Sequence, residues 1–380
     1  MKKAWLISLI FSVGIVGLFL YSYTQVDLGL TLSKLSIWQV VEKSFQFIGY
    51  FQRPLSTGFY VVLLFVLFGS YIFLLRAAYK SDISRKNVWI LIIFTAILLT
   101  FAYNAFSYDL FNYIFDAKIV THYHLNPYQY KALDFPNDPM LSFMHWIERV
   151  YPYGPLWLLV TIPFSFLGGG IFLITFYLFK LIGALSYLGT AFFLEKTARR
   201  FNTEKSLFAL SLFAFSPLVI IEGLVSAHND MLMIFLSTLA LYLIIERRYV
   251  VSFVSLIGSM AVKFATIIWL PLWIFMIFKK RQKDYENYMI FGVAISIIPV
   301  ILATLRTNFQ PWYLLYLFPF AGLVKKSFVI VPVIIFSLFA LLEYIPFLYT
   351  GNWNPPIPNI LNQISITGIC LSLIVGLILF

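Results

Sequence analysis

Apolar runs of roughly membrane length dominate the chain, and short polar clusters separate them. Candidate spans cover residues 5–23, 57–78, 88–106, 171–193, 206–223, 230–246, 249–262, 265–278, 287–305, 311–324, 327–348 and 363–380. Residues 33–52 (SKLSIWQVVEKSFQFIGYFQ) interrupt the series. They mix charge with aromatics at helical spacing, which predicts an amphipathic helix lying on the membrane surface. A further apolar stretch, 155–167, is broken by Pro155 and Pro163 and ends in Gly168-Gly169-Gly170. It reads as a juxtamembrane or re-entrant helix on the outer side, not a crossing. The pattern predicts an all-α polytopic membrane protein with about twelve transmembrane helices, in a range of about 10 to 13, plus outer-face juxtamembrane helices.

Composition agrees with that pattern. Of 380 residues, 61% are hydrophobic and only 11% charged, more apolar surface than a water-soluble core can hide. The net charge of +11 would point to nucleic acid in a soluble chain. Here it follows from Lys and Arg in short cytoplasmic loops, so no nucleic-acid partner is expected. The start, MKKAWLISLI, reads as an uncleaved first span. Cys370, the single cysteine, cannot form an internal disulfide.

The basic residues also orient the chain. Lys2 and Lys3, then Arg76, Lys80, Arg85 and Lys86, are assigned to the cytoplasm. The same holds for Lys196, Arg199, Arg200 and Lys205, for Arg247 and Arg248, for Lys279, Lys280, Arg281 and Lys283, and for Lys325 and Lys326. Lys263 and Arg306 are exceptions, expected outside. This topology puts the loop 107–170, the turn SAHND at 226–230 and LRTNFQPWY at 305–313 on one outer face.

The candidate chemistry falls on that face. In FSYDLFNYIFD (106–116), Asp109 and Asp116 stand i, i+7 on one face of a helix, at the end of the third span. A half-buried carboxylate there is expected to have a raised pKa and to act as a general base; helix capping is the plainer reading. His122 and His124 lack a third ligand at fixed spacing, so no metal site is expected. Asn126-Pro127-Tyr128 forms a turn, and Glu148-Arg149 reads as a charge pair with turn chemistry. His228, Asn229 and Asp230 sit at a helix start, and capping accounts for one of the three. Arg306, Gln310, Trp312 and Tyr313 suit a phosphate and a sugar ring, or an interfacial anchor belt. No nucleotide-binding, zinc or CxxC motif is present, and no cofactor is expected.

In this order the motifs resemble the GT-C superfamily of polyprenyl-phosphate-sugar-dependent glycosyltransferases, especially its bacterial membrane mannosyltransferases. The resemblance covers about residues 88–325. It rests on Ser107-x-Asp109-x-x-x-Tyr113-x-x-Asp116, Asn126-Pro127-Tyr128, a Tyr-Pro-Pro-Leu split as Tyr151-Pro152-Tyr153-Gly154-Pro155-Leu156, His228-Asn229-Asp230, a half-kept Lys263-Phe264, and Pro311-Trp312-Tyr313. The family's basic residue beside Asp116 is Lys118 here. The resemblance implies an inverting transfer of a sugar, mannose by analogy, from a polyprenyl-phosphate donor to an extracytoplasmic glycan, lipid or protein acceptor. The enzyme would sit in the plasma membrane with its active site on the extracytoplasmic face. Asp109 would be the base. Asp116, Asn126, Tyr128, His228, Asn229, Asp230, Lys263, Arg306, Trp312 and Tyr313 would bind substrate, with Arg306, Lys263 or His228 at the departing phosphate.

The expected organisation is N-terminal spans with the interfacial helix (1–87), a catalytic core (88–325) and C-terminal spans (326–380). A flippase or transporter of lipid-linked sugars is the main rival, but no half-to-half repeat is visible and the acids lie at a span end. An O-antigen ligase or polymerase fits less well, because the loop 107–170 holds a single arginine, Arg149.

Overall fold

The computed structural model describes residues 2–201, 206–278 and 285–380. The predicted cytoplasmic residues Lys205, Lys279, Lys280, Arg281 and Lys283 lie outside those segments. The protein is an all-α integral membrane protein. Its helices are α1 (Lys2–Ser22), α2 (Ser36–Phe51), α3 (Arg53–Tyr79), α4 (Arg85–Thr100), α5 (Asp109–Thr121), α6 (Pro155–Leu167), α7 (Phe172–Phe201) and α8 (Ser206–Ala214). They continue as α9 (Asp230–Ile245), α10 (Tyr249–Val262), α11 (Leu270–Phe278), α12 (Tyr285–Thr307), α13 (Phe318–Ala321), α14 (Ser327–Leu342), α15 (Tyr344–Thr350) and α16 (Ile357–Leu379). Among the described residues the one β-type contact is an isolated bridge between Lys131 and Val150.

Six of the described helical stretches are long and apolar enough to cross a bilayer alone: Ala4–Gln25, Arg53–Tyr79, Phe172–Phe201, Tyr285–Thr307, Ser327–Thr350 and Ile357–Leu379. The other predicted spans are shorter or irregular, for identifiable reasons. Pro217 cannot donate a backbone hydrogen bond, and there α8 gives way to a π-helical turn, Val219–Val225, with a bend of 59°. Residues 311–324 begin and recur with proline and form 3-10 turns (Pro311–Leu317) before the four-residue α13.

Contacts gather the polar groups of the described residues at two ends of the bundle. At one end Glu195 binds Arg85 and Arg199, Arg200 binds Glu246, and the Lys325 amide donates to Glu286. At the other end Ser22 meets Tyr103, Lys263 meets Asp230, and Thr307 meets Tyr313. The basic clusters and the candidate chemistry thus occupy opposite ends of the bundle. One continuous apolar core links α1 and α3 through α9 to the C-terminal helices.

The surface helix forms as α2, and its faces are instructive. Glu42 and Gln46 turn inward, with Gln46 donating to the Val26 and Asp27 carbonyls. Ile37, Val40, Phe47 and Phe51 point out, as a lipid-facing helix requires. One expectation is corrected. The third span, predicted over 88–106, is shorter: α4 stops at Thr100, a turn follows, and Asp109 opens a separate helix, α5.

Candidate active site

Asp109 stands at the first position of α5, where the aligned amides of a helix start favour a negative charge. Its backbone N–H donates to the Ser107 hydroxyl at 3.2 Å. The Asn104 side chain holds the Ser107 carbonyl at 2.7 Å, and the Tyr108 hydroxyl donates to Asp27 at 3.3 Å. The turn between α4 and α5 is therefore built to present this carboxylate, which keeps 13% of its side chain exposed.

The turn 226–229 brings His228 to it. His228 is buried, with Nδ1 3.4 Å from Asp109 Oδ2 and Nε2 3.3 Å from Glu222 Oε2. Its ring stacks on the Trp312 indole with centroids 4.0 Å apart. Asp230, at the start of α9 and fully buried, receives Lys263 Nζ at 2.9 and 3.0 Å on its two oxygens. The lysine lies over the rings of Tyr313 and Tyr316. Asn229 is buried, and among the described residues neither polar atom of its amide has a hydrogen-bond partner. An aromatic wall closes the side: Tyr113 donates to Asp109 at 3.5 Å and meets Tyr153 and Trp157 edge-on.

Electrostatics here depart from the expectation for Asp109. Burial pushes its carboxyl up, but His228, Lys263 and Arg149 together outweigh that and hold it below the usual carboxylate range. For His228, burial pushes down while Asp109 and Glu222 more than restore it, to about 9. Asp116 behaves oppositely to Asp109. It is buried, and burial drives its carboxyl well above the usual range, with Arg149 opposing and Asp109 adding to the rise.

The other predicted residues divide. Asn126 caps its own turn, accepting from the Tyr128 amide at 3.0 Å, and Tyr128 donates to the Tyr153 carbonyl at 3.2 Å. Both are exposed on the loop, and Tyr128 packs edge-on against Tyr151. Lys118 pairs with Asp138 at 2.5 Å and so serves the loop. Arg306 is exposed in the last turn of α12, with no ion pair among the described residues. Gly154 donates to the Val262 carbonyl, and a Cβ there would run into the Ala261 carbonyl, so this loop can dock beside Lys263 only as glycine.

Two residues escaped the sequence reading. Arg149 makes no ion pair with Glu148. It lies 5.0 Å from the Trp146 ring and acts on both Asp109 and Asp116. Glu222 falls inside the predicted apolar span 206–223. A lone carboxylate in VIIEGLV was itself the available signal, since such a group is costly in a membrane helix.

Comparison with known proteins now bears on this geometry. The family model described as alpha-(1->6)-mannopyranosyltransferase, N-terminal domain, matches residues 11–279. A relative, alpha-(1->6)-mannopyranosyltransferase A of Corynebacterium glutamicum, is 24% identical over 196 residues. That alignment covers 50% of this chain and 40% of the relative's length. No solved structure matches the chain. The family match takes in Asp109, Glu222, His228, Asp230 and Lys263, and on its extent the chain belongs to the alpha-(1->6)-mannopyranosyltransferase family.

Proposed function

We propose that this protein is a membrane mannosyltransferase that uses a polyprenyl-phosphate donor and works on the extracytoplasmic face. The acceptor is a glycan, lipid or protein hydroxyl. The relative's name supplies the sugar and the α-(1→6) linkage as the expectation. The observation that carries the reading is the meeting of Asp109 with His228, beside the Lys263–Asp230 pair and under Trp312. These groups come from four separate stretches of the chain, and an aromatic platform next to a poised carboxylate suits a sugar ring and its acceptor.

In this scheme the acceptor hydroxyl attacks the anomeric carbon and loses its proton to Asp109 Oδ2. The bond from that carbon to the donor phosphate breaks, and the polyprenyl phosphate leaves with the electron pair. One displacement inverts the centre, so an α product requires a β-linked donor. Asp109, with its low affinity for a proton, takes one only as the attacking hydroxyl becomes acidic in the transition state. Asp116, its carboxyl pushed well above the usual range by burial, is a hydrogen-bonding partner for a sugar hydroxyl. Asn229 offers an unpartnered amide to the same ligand.

The departing phosphate calls for a cation that no carboxylate has already neutralised. Lys263 is committed to Asp230, and His228 sits between two acids. That leaves Arg306 and Arg149, both exposed and without an ion pair among the described residues, to grip the phosphate oxygens. The flippase reading is weaker, because membership of a transferase family and a carboxylate–imidazole contact are not what lipid movement needs. Purified protein in liposomes, given radiolabelled polyprenyl-phosphate mannose and separately a nucleotide-linked mannose, tests the proposal. Label moving to an acceptor from the lipid donor alone supports it; transfer from the nucleotide sugar, or lipid movement without transfer, defeats it.

A further inference from the structure

One fully buried carboxylate of the cluster has no part in the scheme above. Glu222 is fully buried on the π-helical turn. Its Oε1 accepts a hydrogen bond from the Tyr344 hydroxyl at 2.9 Å, and its Oε2 faces His228 Nε2. The turn that carries it is closely held. The Ser226 amide reaches back five residues to the Ile221 carbonyl at 2.8 Å, and the His228 amide donates to the Glu222 carbonyl at 3.1 Å. Lys180 Nζ, buried in α7, donates to the Leu224 and Val225 carbonyls at 2.5 and 2.7 Å. Gly183 on α7 lies against the Gly223 carbonyl, so helix and turn approach closely.

A carboxylate stands at each nitrogen of one imidazole, at ion-pair distances of 3.4 and 3.3 Å that fall short of hydrogen-bond geometry. Neutral imidazole has one donor and one acceptor, so one of the two contacts would set lone pair against lone pair. Only the imidazolium donates in both directions. The charges then sum to one net negative across Glu222, His228 and Asp109. Without Glu222 the ring would lose the partner at Nε2 that holds Nδ1 toward Asp109.

We propose that Glu222 is a positioning residue: anchored by Tyr344, it keeps His228 charged and turned so that Nδ1 fixes the Asp109 carboxylate toward the acceptor hydroxyl. This rests on the reading of Asp109 as the base. The groups facing the imidazole are Asp109 from α5, Glu222 from the π turn and Trp312 from the 311–317 turn. Lys263 and Arg149 act on it through Asp109, and Tyr344 acts through Glu222. The raised value of about 9 for His228 agrees with this arrangement.

The test pairs a titration with a rate. Protein labelled with ¹⁵N-histidine is titrated by NMR in detergent, with His228→Gln identifying the signal. The expected result is that His228 stays doubly protonated to about pH 9 in the parent and titrates at least one pH unit lower in Glu222→Gln. Mannosyl transfer should fall about 10²-fold, as for a misplaced reacting group. Donor KM should hold, and the alkaline limb of the rate profile should move to lower pH. Glu222→Asp should recover part of both. Tyr344→Phe, which keeps the carboxylate, should shift both measurements in the same direction by less, and it carries the test if Glu222→Gln does not fold. Unchanged titration and unchanged rate in these variants would overturn the proposal. The titration does not depend on transfer: a shifted titration beside a fully active Asp109→Asn variant would reject Asp109 as the base and with it the positioning role of Glu222, but not the Glu222–His228 coupling.

Discussion

Lys263 Nζ bridges both carboxylate oxygens of Asp230, at 2.9 and 3.0 Å, tying the residue after α10 to the first residue of α9. Helix α10 carries small polar residues at this contact, where Ser259 donates to the Met233 carbonyl and Ser252 to that of Ala240. The pair locks this hairpin at its site end. Lys263→Ala leaves Asp230 buried and unpaired, and should cost about 3–5 kcal/mol. Replacing both partners with apolar residues of similar volume, Lys263→Met with Asp230→Leu, should restore most of that stability. Thermal unfolding in detergent measures both. A single variant as stable as the parent would mean that the pair is incidental.

The rate should have a broad pH plateau. Asp109 must be ionised, and its carboxyl is held below the ordinary value of 3.8, so the acid limb falls below that pH. His228 must be charged, so the alkaline limb falls as pH rises through about 9. Stability follows the same signs. His228 contributes fully below its unfolded value near 6.5, and the contribution is lost as pH rises through about 9. Asp109 contributes above 3.8, and its share is lost as pH falls through its lower folded value. A rate profile that drops near pH 7 would contradict the charged imidazole.

The fold was largely readable because lipid imposes a crude code. Apolar runs separated by basic clusters predicted the alternation that Glu195–Arg85 at one end and Lys263–Asp230 at the other now display. Topology alone put Asp109, His228 and Trp312 on one face. It could not say that their side chains touch, since contacts between distant stretches depend on helix rotation. Glu222 was missed because hydropathy averages a lone acid away inside VIIEGLV, and nothing local announces a π turn. Asp109 was found with the wrong electrostatics. Burial argued for a raised pKa, whereas the cations that reverse it come from residues 149, 228 and 263.

Donor recognition separates the cations. Arg306→Ala and Arg149→Ala should each raise the donor KM about tenfold or more, since a charge-assisted hydrogen bond is worth about 1.5–3 kcal/mol. Lysine at either position should recover only part, lacking the planar fork. A donor titration at fixed acceptor reads this directly. If both alanine variants keep the parent KM, the phosphate is bound elsewhere.

Topology can be checked with Cys370 removed and single cysteines introduced. Asn137→Cys in the loop after α5 should react with an impermeant maleimide added to intact cells. Lys80→Cys, after α3, should react only once the cells are opened. Equal labelling of both in intact cells would reverse or dissolve the assignment of faces.

The central claim is that Asp109 takes the acceptor proton. The decisive measurement is single-turnover transfer from radiolabelled polyprenyl-phosphate mannose by purified Asp109→Asn, with donor binding measured on the same sample. Asparagine keeps the shape and accepts hydrogen bonds but cannot take the proton. Binding should stay within a few-fold of the parent, and the transfer rate should fall about 10²–10⁴-fold. Transfer at the parent rate, with donor bound normally, would show that Asp109 merely adds charge at the start of α5.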